Sequence, residues 1–151
     1  MRVAGSQRTS GGPNAPVVVA GRSLPLPTGV VRRTVRAVLA GERRRAVMSV
    51  TFLDRRAMRR LNRRYLGHDR ATDVLAFALS GPDGALLGDL YVCPALAAEE
   101  AQARAIPLRE ELVRLLVHGT LHLLGHDHPN GPGRTRSAMW RRQERYVKAI
   151  A

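Results

Sequence analysis

Four of the five histidines of this chain fall in the segment His118-Gly119-Thr120-Leu121-His122-Leu123-Leu124-Gly125-His126-Asp127-His128. A spacing of four residues puts His118 and His122 one turn apart on the same face of a helix, where both imidazoles can point at one ion. Gly125 can adopt the left-handed conformation that ends a helix, and the reversal that follows can carry His128 back toward the first two. Neutral imidazole is a favoured ligand of zinc, and three protein ligands leave the fourth position open, as in catalytic rather than structural sites. The expectation is one Zn2+ per chain, held by His118, His122 and His128. Such an ion supplies a Lewis acid and, by lowering the pKa of its water to about 7, a nucleophile. Asp127 either supports a ligating imidazole from outside the ligand set or caps the turn. His126 is set aside as a bystander, because the reversal that presents His128 turns it elsewhere.

These residues need a scaffold. The apolar stretch that begins near Leu108, after Pro107 in its first turn, predicts the helix carrying His118 and His122. Val17-Val18-Val19 reads as a first strand, and residues 27–39 as a helix with Val31, Val35 and Val38 on one face and Gly41 as its stop. The apolar, β-branched run 46–53 reads as a second strand, and Asp54 as the cap of a helix running to about Tyr65 with Met58 and Leu61 facing inward. Two more strands, 73–79 and 88–93, flank the turn signal Gly81-Pro82-Asp83-Gly84 and predict a hairpin or neighbouring strands. Pro94 opens an Ala- and Glu-rich helix to about Ala105, and a last amphipathic helix is expected from Arg134 onward. The fold class is α+β, a mixed sheet of about four strands packed by helices, with the histidine site at the end of a central helix. Residues 1–16, rich in Gly, Ser, Pro and Arg, are expected as a flexible tail, and 17–151 as a single domain.

With 25 Lys and Arg against 12 Asp and Glu, the formal charge is +13, which favours a polyanionic partner through counterion release. Much of it crowds one helix, where Arg55, Arg56, Arg59, Arg60, Arg63 and Arg64 repel at close spacing. The apolar runs are too short for a membrane span or a secretory signal, and the lone Cys93 sits in an apolar segment that favours a buried thiol. A cytoplasmic chain is the expectation. Tyr, Phe and Trp make up only 4% of residues, so stacking platforms for bases are scarce and backbone charge is expected to dominate nucleic-acid binding.

The histidine segment has the spacing of the metzincin protease motif H-E-x-x-H-x-x-G-x-x-H, with Gly119 where the protease has its Glu. Glycine has no side chain to accept a proton, so peptide hydrolysis by that route is disfavoured. With its Gly, the segment resembles the signature H-G-x-L-H-L-x-G-x-D-H of the YbeY endoribonucleases, at every fixed position. Upstream, residues 61–77 resemble the same family's L-N-x-x-Y-R-x-x-D-x-P-T-D-V-L-S-F, and Leu87-Gly88-Asp89-Leu90 matches a third, shorter signature. The resemblance spans about Val17 to Ile150. It implies a zinc-dependent, single-strand-specific endoribonuclease that matures the 3′ end of 16S rRNA and serves ribosome quality control. It also makes His118, His122 and His128 the metal ligands, with His118 part of the catalytic centre.

The implied partners are single-stranded RNA, the small-subunit rRNA, and the ribosome or its proteins, with an assembly GTPase as a further candidate. The family's Arg after the Tyr is Leu66 here, and its Pro and Ser are Ala71 and Ala76. Leu cannot neutralise phosphate. Arg63, Arg64 and Arg70 are the neighbouring guanidinium groups that could bind RNA in its place, and Arg64 is the candidate for the catalytic role. The alternative is a metal-containing RNA-binding ribosome-assembly factor with weak or no nuclease activity.

Overall fold

The computed structural model describes residues 16–81 and 84–151. Apart from Pro16, the segment expected as a tail lies outside the described residues. Four strands, β1 (Val17–Ala20), β2 (Ala46–Phe52), β3 (Val74–Ser80) and β4 (Leu86–Val92), form one sheet in the order β1-β2-β4-β3. The first three of that order run parallel, and β3 closes the edge antiparallel to β4. β3 and β4 are the expected hairpin, joined by a turn in which Gly81 N–H donates to the Ala85 carbonyl at 2.6 Å.

Period-two alternation gives the sheet two faces. Ala46, Met48, Val50 and Phe52 of β2 and Leu90 and Val92 of β4 are buried on one. That face is covered by helices α1 (Thr28–Gly41) and α4 (Leu108–Leu123), with α3 (Pro94–Ala103) and α5 (Ala138–Ile150) packed against α4. The other face takes α2 (Arg55–Leu66) at the β3–β4 end, where Met58 packs with Leu75 and Cys93. Asp54 caps α2, its Oδ1 accepting from Ala57 N–H at 2.8 Å. Cys93 is fully buried.

α4 is buried nearly all round, as a helix through the middle of a core must be. Two glycines let it lie close on the sheet. A Cβ on Gly88 would stand 2.8 Å from Leu123 Cδ1, and one on Gly119 would stand 2.7 Å from Leu90 Cδ2. The spot that a metzincin fills with its Glu is therefore closed by a fully buried leucine of β4.

Two boundaries differ from the sequence reading for local reasons. Residues Arg134–Arg136 form a separate 3-10 turn, and α5 begins only at Ala138, because Ser137 Oγ accepts from Trp140 N–H at 3.1 Å and caps a new helix. Gly41 is the last helical residue of α1 rather than a residue past its end. It is small because the Tyr146 hydroxyl passes against it, where any Cβ would collide.

Candidate metal centre

His118 and His122 project from the last turns of α4, and Gly125, at φ +94°, reverses the chain behind them. The reversal brings His128 back, and one ring nitrogen from each of the three lies within 4.8 Å of the others. The ring centres stand 4.5, 5.0 and 5.1 Å apart. The expected convergence of the three imidazoles is present.

The donor set suits a transition-metal ion. His118 Nδ1 meets Gln143 Oε1 at 2.6 Å and His128 Nδ1 meets the Pro129 carbonyl at 3.0 Å, which fixes both protons on Nδ1 and leaves Nε2 free to ligate. Burial pushes His118 down to about 4, with the neighbouring rings and Arg134 acting the same way against the Gln143 bond. Burial and His128 also lower His122, while the Asp127 carboxylate and the His126 backbone oppose the shift. Imidazoles held neutral in this way need lose no proton at neutral pH to bind a cation.

Gln143 escaped the sequence reading although its signal was present. The buried stripe of α5 is Met139, Gln143 and Val147, so a polar residue interrupts an otherwise apolar row. Its amide orientation follows from the network, because Nε2 donates to Glu144 Oε2 at 3.1 Å and Oε1 must then face His118. A Gln143→Leu substitution keeps the volume and removes the acceptor. The zinc affinity of that variant, measured by competition with a chromophoric chelator, is expected to fall about 10- to 100-fold. Unchanged affinity would show that the bond is incidental.

His126 turns away from the triad, and its Nε2 lies 2.7 Å from Glu42 Oε1. The Glu42 carboxylate also accepts from Arg142 at 3.0 Å and from the Tyr146 hydroxyl at 2.6 Å. This knot ties together the end of α1, the loop after α4, and α5. Burial alone would raise the Glu42 carboxyl, but the bonds from Tyr146, Arg142 and His126 hold it below its ordinary value. A depressed carboxylate stabilises the fold above its unfolded pKa, and that contribution is lost as pH falls through the folded one. A Glu42→Gln protein should therefore have a lower urea midpoint than the parent at about pH 7, with the gap narrowing toward about pH 3.5. A gap that stays constant over that range would rule out the carboxylate charge as its source.

Asp127 Oδ1 accepts from His128 N–H at 2.8 Å, which shapes the turn. Gln143 and the Pro129 carbonyl accept from rings of the triad. The cleft over the triad is lined by the three histidines, Asp73, Val74 and Arg134, among others. Arg63, Arg64 and Arg70 do not line it. Arg63 and Arg64 lie in the last turn of α2, with the Arg64 guanidinium 5.5 Å over the Tyr65 ring. Arg70 follows in the loop that Asn62 holds by donating to the Arg70 carbonyl at 2.9 Å, and that loop runs on to Asp73. On the same helix Arg55 and Arg59 are paired with Glu99 and Asp69.

A mixed sheet beneath a helix and loop that bring three histidines to one point defines an α+β protein with a three-histidine group that could hold a metal ion. Residues 27–151 match the family model described as Endoribonuclease YbeY, and the chain belongs to the YbeY family. A relative from Stenotrophomonas maltophilia (strain K279a), named Endoribonuclease YbeY, is 41% identical over 111 residues, covering 68% of this chain and 69% of that one. One of the same name from Alkalilimnicola ehrlichii is 40% identical over 118 residues, covering 74% and 71%. A third, from Chromohalobacter salexigens, is 44% identical over 84 residues, and that match spans only 54% of either chain. The solution structure of a Thermotoga maritima protein superposes with a TM-score of 0.64 at 27% identity, covering 89% of both chains.

Proposed function

We propose that this protein is a zinc-dependent endoribonuclease acting on single-stranded RNA, with the 3′ end of 16S rRNA as its substrate and ribosome quality control as its setting in the cytoplasm. The observation that carries the reading is the cleft itself, lined by three imidazoles, a guanidinium and a carboxylate. Zinc held by the triad supplies Lewis acidity and a nucleophile at neutral pH.

The other roles fall to the chain's own groups. Arg134 neutralises charge on the phosphate, a duty for which guanidinium geometry is suited. Asp73 Oδ1 accepts from Val74 N–H at 2.8 Å, and Oδ2 is the oxygen left to take a proton from the attacking water. Gln143 and the Pro129 carbonyl keep two of the rings oriented. Arg63, Arg64 and Arg70, which lie outside the cleft, bind the backbone of the RNA, and Arg64 aids cleavage where the family Arg is Leu66 by holding the strand in place rather than by touching the scissile phosphate. Leu66 is itself 51% exposed and uncharged, which favours a second reading as a metal-containing ribosome-assembly factor that binds RNA and cuts it weakly. Ribosomal proteins and an assembly GTPase are the partners proposed under either reading.

Cleavage of a short rRNA 3′ fragment by zinc-loaded protein, with the His118→Ala protein as control, separates the two. Cutting by the parent alone supports the nuclease, whereas bound zinc with salt-sensitive RNA binding and no cutting supports the assembly factor. Affinity should fall steeply with salt, because a chain of net charge +13 binds mainly by releasing counterions.

A further inference from the structure

Beside the metal centre opens a second cavity of about 310 Å3, which shares Asp73, Leu115, His118 and Arg134 with the cleft over the triad. Trp140 forms part of its wall, with the guanidinium carbons of Arg104 and Arg134 lying 5.8 and 5.9 Å from its ring. This is the only tryptophan in the chain. It lies beside the buried Met139–Gln143–Val147 stripe of α5 and is only half-buried. A side chain that stabilises most when fully buried is thus spent on a cavity next to the histidines.

The rest of the lining limits what fits. Arg104, Arg114 and Arg134 are balanced by Asp73, Glu100 and Glu111, and Arg114 and Glu111 are already bonded to each other at 3.1 Å. A cavity without net charge, walled by an indole and edged with hydrogen-bonding groups, suits a flat neutral ring better than a phosphate. The anion belongs on the other side of Arg134, over the triad. The volume is at the small end for a ligand site, on the scale of one nucleoside rather than a folded RNA element.

We propose that this cavity is a nucleobase subsite, in which Trp140 stacks the base of a nucleotide whose phosphate lies over the histidine triad. Arg134, shared by the two cavities, bridges base and phosphate. The proposal rests on the single-stranded RNA reading of the metal centre. It also gives the chain a base-stacking platform where composition alone promised none.

The lone indole is its own reporter. Titration of zinc-loaded protein with a short single-stranded RNA, followed by tryptophan fluorescence and in parallel by anisotropy of a labelled RNA, should show quenching that saturates with binding. Stacking predicts a rise in KM of about 10-fold for Trp140→Ala, with Trp140→Phe close to the parent and zinc content equal in all three. RNA that binds by anisotropy without quenching, or a Trp140→Ala protein with unchanged KM, overturns the subsite while leaving the nuclease reading intact. Absence of RNA binding overturns both. Quenching without cleavage supports the subsite and sends the metal centre to the assembly-factor reading.

Discussion

The His122→Ala protein is expected to bind no zinc at stoichiometric concentrations and to lose RNA cleavage by about 1,000-fold or more, the scale on which metal-assisted hydrolysis depends on its ion. His122 completes a near-equilateral triangle, its ring centre 4.5 Å from that of His118 and 5.0 Å from that of His128, which are themselves 5.1 Å apart. Its removal leaves two of the three imidazoles. The same substitution reports on folding, because an ion that binds only the native state raises the unfolding temperature with its concentration. Added zinc should raise the melting temperature of the parent and leave that of His122→Ala unchanged. Full cleavage by zinc-free His122→Ala protein would remove the metal from the mechanism altogether.

The parts of this site that could be read in the sequence are those whose geometry is local. The spacing of His118 and His122 is a property of one helix, and Gly125 needs only its own backbone at φ +94° to turn the chain. Gln143 and Arg134 reach the same place from another element, and nothing in one-dimensional spacing says that α5 will lie against α4. The sheet order was hidden for a related reason. Either strand of the β3–β4 hairpin could have paired with β2, and the choice rests on packing: Leu90 and Val92 of β4 are completely buried, whereas Leu79 of β3 is 60% exposed. Gly88 of β4 adds to the fit, since a Cβ there would stand 2.8 Å from Leu123 Cδ1 of α4.

The basic helix teaches a complementary lesson. Six arginines on α2 pointed to nucleic acid, yet the guanidinium that lines the histidine cleft is Arg134, from the turn before α5. Charge density along the sequence marks a surface, whereas chemistry at the metal depends on which side chains the fold brings to one wall. Under the proposed function, an RNA strand running from α2 along the loop that Asn62 holds toward Asp73 would use both. The strand passing along it would meet Arg63, Arg64 and Arg70 before it reaches Arg134.

The second large effect is expected behind the metal centre. Arg114, almost fully buried in α4, bonds Glu144 at 2.8 Å, Glu110 at 2.9 Å and Glu111 at 3.1 Å. The Glu144 bond raises the Arg114 guanidinium further, and Arg114 in turn holds Glu144 low against its burial. For Glu111 burial prevails, and its carboxyl is raised despite Arg114 and Arg104. Glu110 and Glu144 keep access to water, but breaking the cluster leaves the buried Glu111 with Arg104 at 3.2 Å as its remaining partner. An Arg114→Met substitution should cost about 3 kcal/mol, the low end of the penalty for breaking a buried pair, because Arg104 still faces Glu111. With a urea dependence of about 1–3 kcal/mol per molar, the midpoint should drop by at least about 1 M. Adding Glu111→Leu to that variant should recover part of the loss, since it removes the buried carboxylate. Because Glu144 also accepts from Gln143, the ring orientation of His118 loosens with it, and zinc affinity should fall even in the fraction that remains folded. An Arg114→Met midpoint equal to that of the parent would mean that water reaches these carboxylates and that the chain from Arg114 to His118 carries no tension.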